Sequence, residues 1–282
     1  MCDIRKQSVR SMRGGLFLIV AAICGAAAAQ ESKPPAGEEV LKRCIEATGG
    51  KTAHEKLKNR VSTGTLEFPA MGITGKITVV ESAPNLAHTI VDMEGLGKSE
   101  QGSDGETLWE MSDAQGPRIL EGEEREIMKR QTTFHWFMKW QELYAKVENA
   151  GEETVGEAKC WKIQMTPKVG APESWFIDQK DFLLRRMDFT LKNPMGEIPV
   201  KVTFSDHKVI DGVSVAMTAL QEVVQMRMTT KLSEVKHNVD LPKDEFKLPE
   251  AIQELKSRPT SKPSTKPEQK NSEPAAGGSP KK

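Results

Sequence analysis

The sequence predicts an α+β protein: a large curved antiparallel β-sheet (a half-barrel) with an N-terminal helix and an internal aromatic-rich helix on its concave side. Three observations predict this class. From residue 60 onward, most segments alternate apolar and polar side chains, which is the pattern of half-buried strands. Turn residues recur roughly every 8 to 12 residues, which favours an antiparallel meander over βαβ units. One segment, residues 121–145, breaks the alternation and is typical of a helix.

The elements follow in order along the chain. An amphipathic helix from Glu38 to Ala47 is ended by Gly49-Gly50, and Thr52-x-x-Glu55 forms a capping box for a second short helix. The internal helix runs from about Glu123 to Tyr144. About ten strands are predicted, at residues 61–68, 73–81, 86–93, 106–112, 117–120, 160–165, 173–177, 182–187, 198–204, 213–219 and 221–237, and Phe246 closes the sheet.

Residues 1–29 are predicted to be a signal peptide. Basic side chains precede an apolar run, and Ala27-x-Ala29 matches a cleavage site before Gln30. An uncleaved anchor helix, translation from Met12 and lipidation at Cys24 are the alternatives. A cleaved signal places the mature protein in the periplasm or outside the cell.

The remaining chain divides into a body, residues 30–254, and a tail, residues 255–282. The body carries 29 basic and 37 acidic side chains, a net charge of −8, and the tail carries +5. An acidic body argues against nucleic acid as a partner. The body also lacks an apolar run near the ~20 residues that span a bilayer, so it is not expected to be an integral membrane protein. The Lys-, Pro- and Ser-rich tail is predicted to be disordered.

No catalytic or metal-binding motif withstands inspection. Gly97-Lys98-Ser99 lacks the first glycine of a phosphate-binding loop, and His54-Glu55 lacks the second histidine of a zinc peptidase. The five histidines have no ligand spacing. We therefore predict no enzyme activity, no cofactor and no metal. Cys44 and Cys160 remain after signal cleavage, and either a disulfide between them or two buried free thiols fits the sequence.

Aromatic side chains are concentrated in the internal helix. Five of them fall within residues 134–144, and they cover more of the helix than one core-facing stripe requires. Three interpretations stay open: a helix buried on both sides, a helix with one side lining an apolar ligand groove, or a surface that docks a protein. The candidate groove residues are Phe134, Trp136, Phe137, Met138, Trp140, Tyr144, Trp109 and Trp175.

Several local motifs resemble those of the bacterial lipoprotein-carrier superfamily, which includes LolA- and LolB-like carriers and envelope-stress sensor domains. They are Asp104-Gly105-Glu106-Thr107-Leu108-Trp109, Trp175-Phe176-Ile177-Asp178 followed by Phe182-Leu183-Leu184-Arg185-Arg186, and Asp206 to Val213. The resemblance covers about residues 38–249. It implies a non-enzymatic envelope protein that binds a lipid or a lipoprotein acyl chain in an apolar groove. The alternative is a sensor or interaction module that docks an envelope protein through the same aromatic helix.

Overall fold

The computed structural model describes residues 33–193 and 196–257. The predicted signal peptide and nearly all of the predicted tail lie outside these residues. Helices span α1 Gly37–Ala47, α2 Gly50–Glu55, α3 Gly122–Thr132, α4 Trp140–Leu143 and α5 Glu250–Ser257, with single 3-10 turns at Pro69–Met71 and Trp136–Lys139. Helix α5 extends three residues beyond the predicted start of the tail, because Ile252 is fully buried and the Lys256 ammonium donates a hydrogen bond to the Thr107 hydroxyl at 2.9 Å.

Thirteen antiparallel strands form one curved sheet, which confirms the predicted fold class. The strands are β1 Asn59–Phe68, β2 Ile73–Ser82, β3 Leu86–Met93, β4 Gly97–Asp104, β5 Leu108–Ser112, β6 Gly116–Ile119, β7 Tyr144–Val155, β8 Ala158–Pro167, β9 Glu173–Asp178, β10 Leu184–Asn193, β11 Gly196–Ile210, β12 Val213–Val223 and β13 Met226–His237. Their order across the sheet is β6-β5-β4-β3-β2-β1-β13-β12-β11-β10-β9-β8-β7. The chain therefore builds one half outward to β6, crosses to the opposite edge at β7, and returns until β13 pairs with β1.

The strands differ from the prediction at identifiable places, and β7, Tyr144–Val155, was not predicted. Residues 221–237 are not one strand, because a turn at Val224 and Gln225 divides them between β12 and β13. Val224 takes a positive φ of 55° there, which a β-branched residue rarely adopts. Strand β4 was missed because it is polar and glycine-rich, and Phe246 lies in a turn rather than closing the sheet.

The segment that crosses between the two edges is not a single helix from Glu123 to Tyr144 as predicted. Helix α3 ends at Thr132, and the Thr133 hydroxyl donates a hydrogen bond to the Lys129 carbonyl at 2.7 Å. His135 then has a left-handed backbone, with φ 55° and ψ 39°, and redirects the chain into the short turns of residues 136–143. Paired β-branched residues disfavour helix continuation, so Thr132-Thr133 is a signal for this break.

Helix α1 and the crossing segment cover one half of the sheet together. Val40, Leu41 and Cys44 of α1 share a buried cluster with side chains of the crossing segment and of β8 and β9. A second cluster joins Leu57 and Phe134 to β12 and β13. The two clusters keep the crossing segment against the concave face, where the cavity described next is found.

Candidate functional site

A cavity of about 190 Å³ lies between helix α3 and the concave face of strands β9–β12. Its lining surface is mostly apolar, and its polar side chains come from α3, β9, β12 and Tyr144. Eleven side chains line it: Ile127, Arg130, Gln131, Trp136, Tyr144, Glu173, Met187, Phe189, Val202, Phe204 and Gln221. Such apolar walls with a small number of polar groups are typical of sites for small apolar ligands.

The strand side of the cavity comes from simple alternation. Met187 and Phe189 on β10 are paired with Val202 and Val200 on β11, so their side chains project from the same face. The intervening residues on both strands point to the opposite face. Regular pairing between these strands therefore supplies a continuous apolar floor.

One wall of the cavity is a buried polar network centred on Glu173. The Arg130 guanidinium donates to the Glu173 carboxylate at 2.8 Å, and the two side chains are only 11% and 9% exposed. The Tyr144 hydroxyl donates to the other carboxylate oxygen at 2.9 Å. Arg130 also donates to the Val169 carbonyl at 2.7 Å. These bonds join α3 to strand β9. The additional partners help to offset the cost of desolvating a buried ion pair.

The network keeps Tyr144 in its neutral form. Burial, and after it the neighbouring Glu173 carboxylate, raise the pKa of Tyr144 well above its ordinary value. The phenol therefore remains a hydrogen-bond donor at any physiological pH. With Arg130 paired to Glu173, the polar wall presents no unpaired charge to an apolar ligand.

The structure brings together only part of the predicted groove. Trp136 and Tyr144 line the cavity. Trp140 and Trp175 are buried beside it in the α1 cluster, and Phe137 packs against that cluster. The Trp175 ring contacts Trp136 edge-on, with 5.0 Å between ring centroids. Trp175 therefore supports the cavity wall from behind rather than lining it.

Three predicted groove residues lie elsewhere. Phe134 belongs to the cluster over β12 and β13, and Met138 is half-buried outside the cavity lining. Trp109 is on the opposite face of the sheet, since its neighbour Leu108 packs on α3 and adjacent strand residues point to opposite faces. There it packs against His88, which is bonded to Glu245 of the C-terminal segment.

Sequence reasoning missed the strand side of the cavity, although a signal was present. Met187, Phe189 and Leu191 alternate with polar residues in β10, as do Val200, Val202 and Phe204 in β11. That pattern marks one apolar face. The Arg130–Glu173 pair left no such signal, because its members are 43 residues apart in sequence.

Cys44 and Cys160 are both free and buried, so the disulfide that the sequence left open is not formed. Cys44 belongs to helix α1 and Cys160 to strand β8. Burial raises the pKa of Cys44 to about 12 and that of Cys160 to about 11. Thiols that stay protonated are poor nucleophiles and poor metal ligands. Within residues 33–193 and 196–257, no three His, Cys, Asp or Glu side chains converge as a metal site.

A histidine pair joins helix α2 to the crossing segment at His135, shortly after the end of α3. His54 is 4% exposed, its Nε2 is 3.2 Å from the Thr48 hydroxyl, and its ring centroid is 5.2 Å from that of His135. The Nδ1 atom of His54 is buried without a hydrogen-bond partner among the residues described. Burial, reinforced by His135, lowers the pKa of His54 to about 4. Burial also lowers the pKa of His135.

We expect the free energy of unfolding to fall as the pH decreases from about 6.5 to 4. Below pH 6.5 the unfolded chain binds a proton at His54 that the folded chain excludes, so acid favours unfolding by up to about 1.4 kcal/mol per pH unit. Urea unfolding at pH 7, 6 and 5 measures this slope. His54→Gln, which keeps a hydrogen-bonding side chain, should reduce the slope, and an unchanged slope in that variant would show that His54 is not responsible.

The fold is similar to that of LolA-superfamily proteins, the resemblance that the sequence motifs indicated. A DUF1329 family protein from Desulfovibrio piger superimposes with a TM-score of 0.53 and 13% identity, over 74% of this chain and 96% of the other. A LolA superfamily protein from Nitrosomonas europaea gives a TM-score of 0.53 and 12% identity, over 76% and 98%. No protein-family model and no curated protein matches the sequence. At these identities, the likeness concerns the fold alone.

Proposed function

We propose that this protein binds the acyl chain of a lipid or lipoprotein in the cavity between α3 and strands β9–β12. The observation that carries the proposal is the lining: Met187, Phe189, Val202 and Phe204 form an apolar floor under Ile127 of α3. An acyl chain is recognised by shape and apolar area rather than by hydrogen bonds. The lipoprotein-carrier motifs in the sequence support the same ligand class.

The size of the cavity limits how much of a ligand it holds in the closed form. A cavity of ~150 Å³ accommodates benzene, so about 190 Å³ takes on the order of seven carbon atoms. Burying seven methylenes contributes about 6 kcal/mol, which falls short of micromolar affinity even before binding costs. A long chain therefore needs more space than the closed form offers.

Helix α3 is the element that we expect to move for longer chains. It is a separate helix, because the left-handed backbone at His135 divides it from residues 136–143. Its buried polar tie to the sheet is the Arg130–Glu173 pair, with the Val169 carbonyl as a second acceptor of Arg130, and an exposed pair joins Glu124 to Arg118 of β6. Movement of α3 away from β10 and β11 would extend the cavity along the alternating apolar side chains of those strands.

A direct test measures calorimetric binding of octanoate, dodecanoate and hexadecanoate. We expect affinity to increase with chain length, and Val202→Trp, which fills the cavity, to weaken hexadecanoate binding at least about tenfold. Lys201→Trp is the matched control, because this exposed neighbour on β11 adds the same bulk to the opposite face. Equal loss in both variants, or no binding by the parent protein, would contradict the proposal.

Docking of a protein through the aromatic segment has less support. Phe134, Trp140 and Tyr144 are 4%, 7% and 6% exposed, so most of the predicted docking surface faces the interior. Native mass spectrometry of the protein from its own host distinguishes the two functions, since a co-purifying lipid supports acyl binding and a retained protein supports docking.

We also propose that the protein acts in the cell envelope after residues 1–29 are removed. The basic and apolar pattern of this segment and the Ala27-x-Ala29 site support export. No helix among the residues described is long and apolar enough to cross a membrane. An acyl-binding protein in this compartment would meet lipids at membrane surfaces.

A further inference from the structure

Exposed large apolar side chains are concentrated at one end of the sheet. Six such side chains are 48% to 76% exposed within the part of the chain that the structure describes: Met71, Leu96, Val169, Val209, Val224 and Met226. Isolated exposed apolar residues are ordinary. Their positions in the topology are what distinguishes this set.

Five of the six belong to strand connections at the same end. Strands β8 to β13 are successive antiparallel neighbours, so the β8–β9 connection with Val169 and the β12–β13 turn with Val224 and Met226 share one end. Strand β1 pairs antiparallel with β13, and Glu67 lies opposite Thr229. The β1–β2 turn with Met71 and the β3–β4 turn with Leu96 therefore lie at this end too. We call these five residues the apolar rim.

The rim residues stand on separate tips rather than in one patch. Adjacent strands are about 4.8 Å apart, so neighbouring hairpin tips are spaced by roughly 10 Å. The turn at Met71 closes with a hydrogen bond from the Gly72 amide to the Pro69 carbonyl, and the turn at Leu96 closes with one from the Leu96 amide to Met93. These two tips can thus enter an apolar medium without opening their turns.

Several charged side chains near the rim are paired, and two exposed ones beside it, Glu94 and Lys168, have opposite signs. The Lys98 Nζ atom is 2.7 Å from Glu100 Oε1, and the Arg227 Nε atom is 2.9 Å from Glu222 Oε1. Lys231 is 3.0 Å from Glu67. This end of the sheet therefore carries no strong net charge that would attract an oppositely charged partner. Insertion of apolar side chains is the interaction that it offers.

We propose that the apolar rim docks on the surface of a phospholipid bilayer, with the five side chains inserted between lipid headgroups. Separated apolar side chains can each insert into a fluid lipid interface, because the lipids rearrange around each of them. A protein partner instead requires a contiguous, closely packed core. The rim also adjoins the cavity, because the Val169 carbonyl of the β8–β9 connection accepts a hydrogen bond from Arg130 in the cavity wall.

This docking does not depend on the acyl site, although the proposed function gives it a purpose. A bound bilayer would place the β8–β9 connection at the lipid surface. An acyl chain leaving the bilayer there would enter the cavity past Arg130 and Gln131 without crossing open water.

Flotation with phosphatidylcholine vesicles tests the proposal, using the chain without residues 1–29. We expect the parent chain to bind, each of Met71→Glu, Leu96→Glu and Val224→Glu to reduce vesicle partitioning about tenfold, and the triple variant to abolish it. Val209→Glu is the matched control: Val209 is 76% exposed but lies beside the β11–β12 turn at the opposite end. Because all four sites are exposed, unchanged urea midpoints confirm that the variants fold.

Several results would overturn the proposal. These are an equal loss in Val209→Glu, full binding by the triple variant, or binding that needs anionic lipid and disappears at about 0.5 M salt. The last result would assign binding to charge outside the rim. Acyl binding without vesicles is measured in parallel. The triple variant should retain it and Val202→Trp should retain vesicle binding, so failure of either proposal is separable from failure of the other.

Discussion

Replacing Glu173 with alanine is expected to lower the free energy of unfolding by about 3–5 kcal/mol, because it leaves a buried arginine without its counter-charge. The Arg130 guanidinium would keep only the Val169 carbonyl as an acceptor among its present partners. The Tyr144 hydroxyl would lose its acceptor as well. Urea unfolding at neutral pH measures the change.

Two controls identify the buried pair as the cause. Replacing both partners, Arg130→Met with Glu173→Met, removes the charges together and should recover most of the lost stability. Glu39→Ala breaks the exposed helix pair between Glu39 and Arg43 and should change stability by less than about 1 kcal/mol. If Glu173→Ala is as mild as Glu39→Ala, the network does not hold α3 to the sheet.

The same variants connect stability to ligand binding. Because the Arg130–Glu173 pair ties α3 to strand β9, removing both charges should ease movement of the helix. The doubly substituted protein should then bind hexadecanoate at least as tightly as the parent protein. Octanoate fits the closed cavity, so movement of α3 should add less to its affinity than to that of hexadecanoate.

Local patterns in the sequence predict those elements of the fold that are set by local physics. Alternation at residues 73–81 and 86–93 identifies β2 and β3, whose boundaries in the structure are Ile73–Ser82 and Leu86–Met93. Strand β4 escapes, since Gly97–Asp104 has no apolar alternation and is held by pairing with β3 and β5. The strand exists because its neighbours provide its hydrogen bonds.

The candidate site divides in the same way. The aromatic segment is evident from the sequence, and two of its residues, Trp136 and Tyr144, line the cavity. The position of Trp109 could not be predicted, because it packs against His88, which the C-terminal segment holds through Glu245 on that face of the sheet. Contacts between residues far apart in sequence, such as His88 with Glu245 over 157 positions, depend on topology that local periodicity does not encode.

Gly64 lies where two strands approach too closely for any side chain. Strand β1 is the innermost strand of the half formed by β1–β6, and its pairing with β13 joins the two halves. The register between them shifts at Thr63 and Gly64, where a bulge brings the backbones close together. A Cβ atom at Gly64 would lie 2.1 Å from the Lys231 carbonyl oxygen and 2.8 Å from the Leu232 Cα. Both are main-chain atoms, so no side-chain rotation relieves the contact.

Gly64→Ala is therefore expected to lower the free energy of unfolding by about 3 kcal/mol, at the upper end of overpacking effects, because the two strands must separate at their junction. Gly156→Ala is the control. Gly156, unlike Gly64, has a positive φ of 60°, but its turn leaves open space for a Cβ, so only backbone strain of about 1 kcal/mol applies. Urea unfolding compares the two, and hydrogen exchange should show the added loss at the β1–β13 amides. Equal destabilisation by both variants would mean that the junction relaxes around the methyl group and that the close approach at Gly64 is not required by the fold.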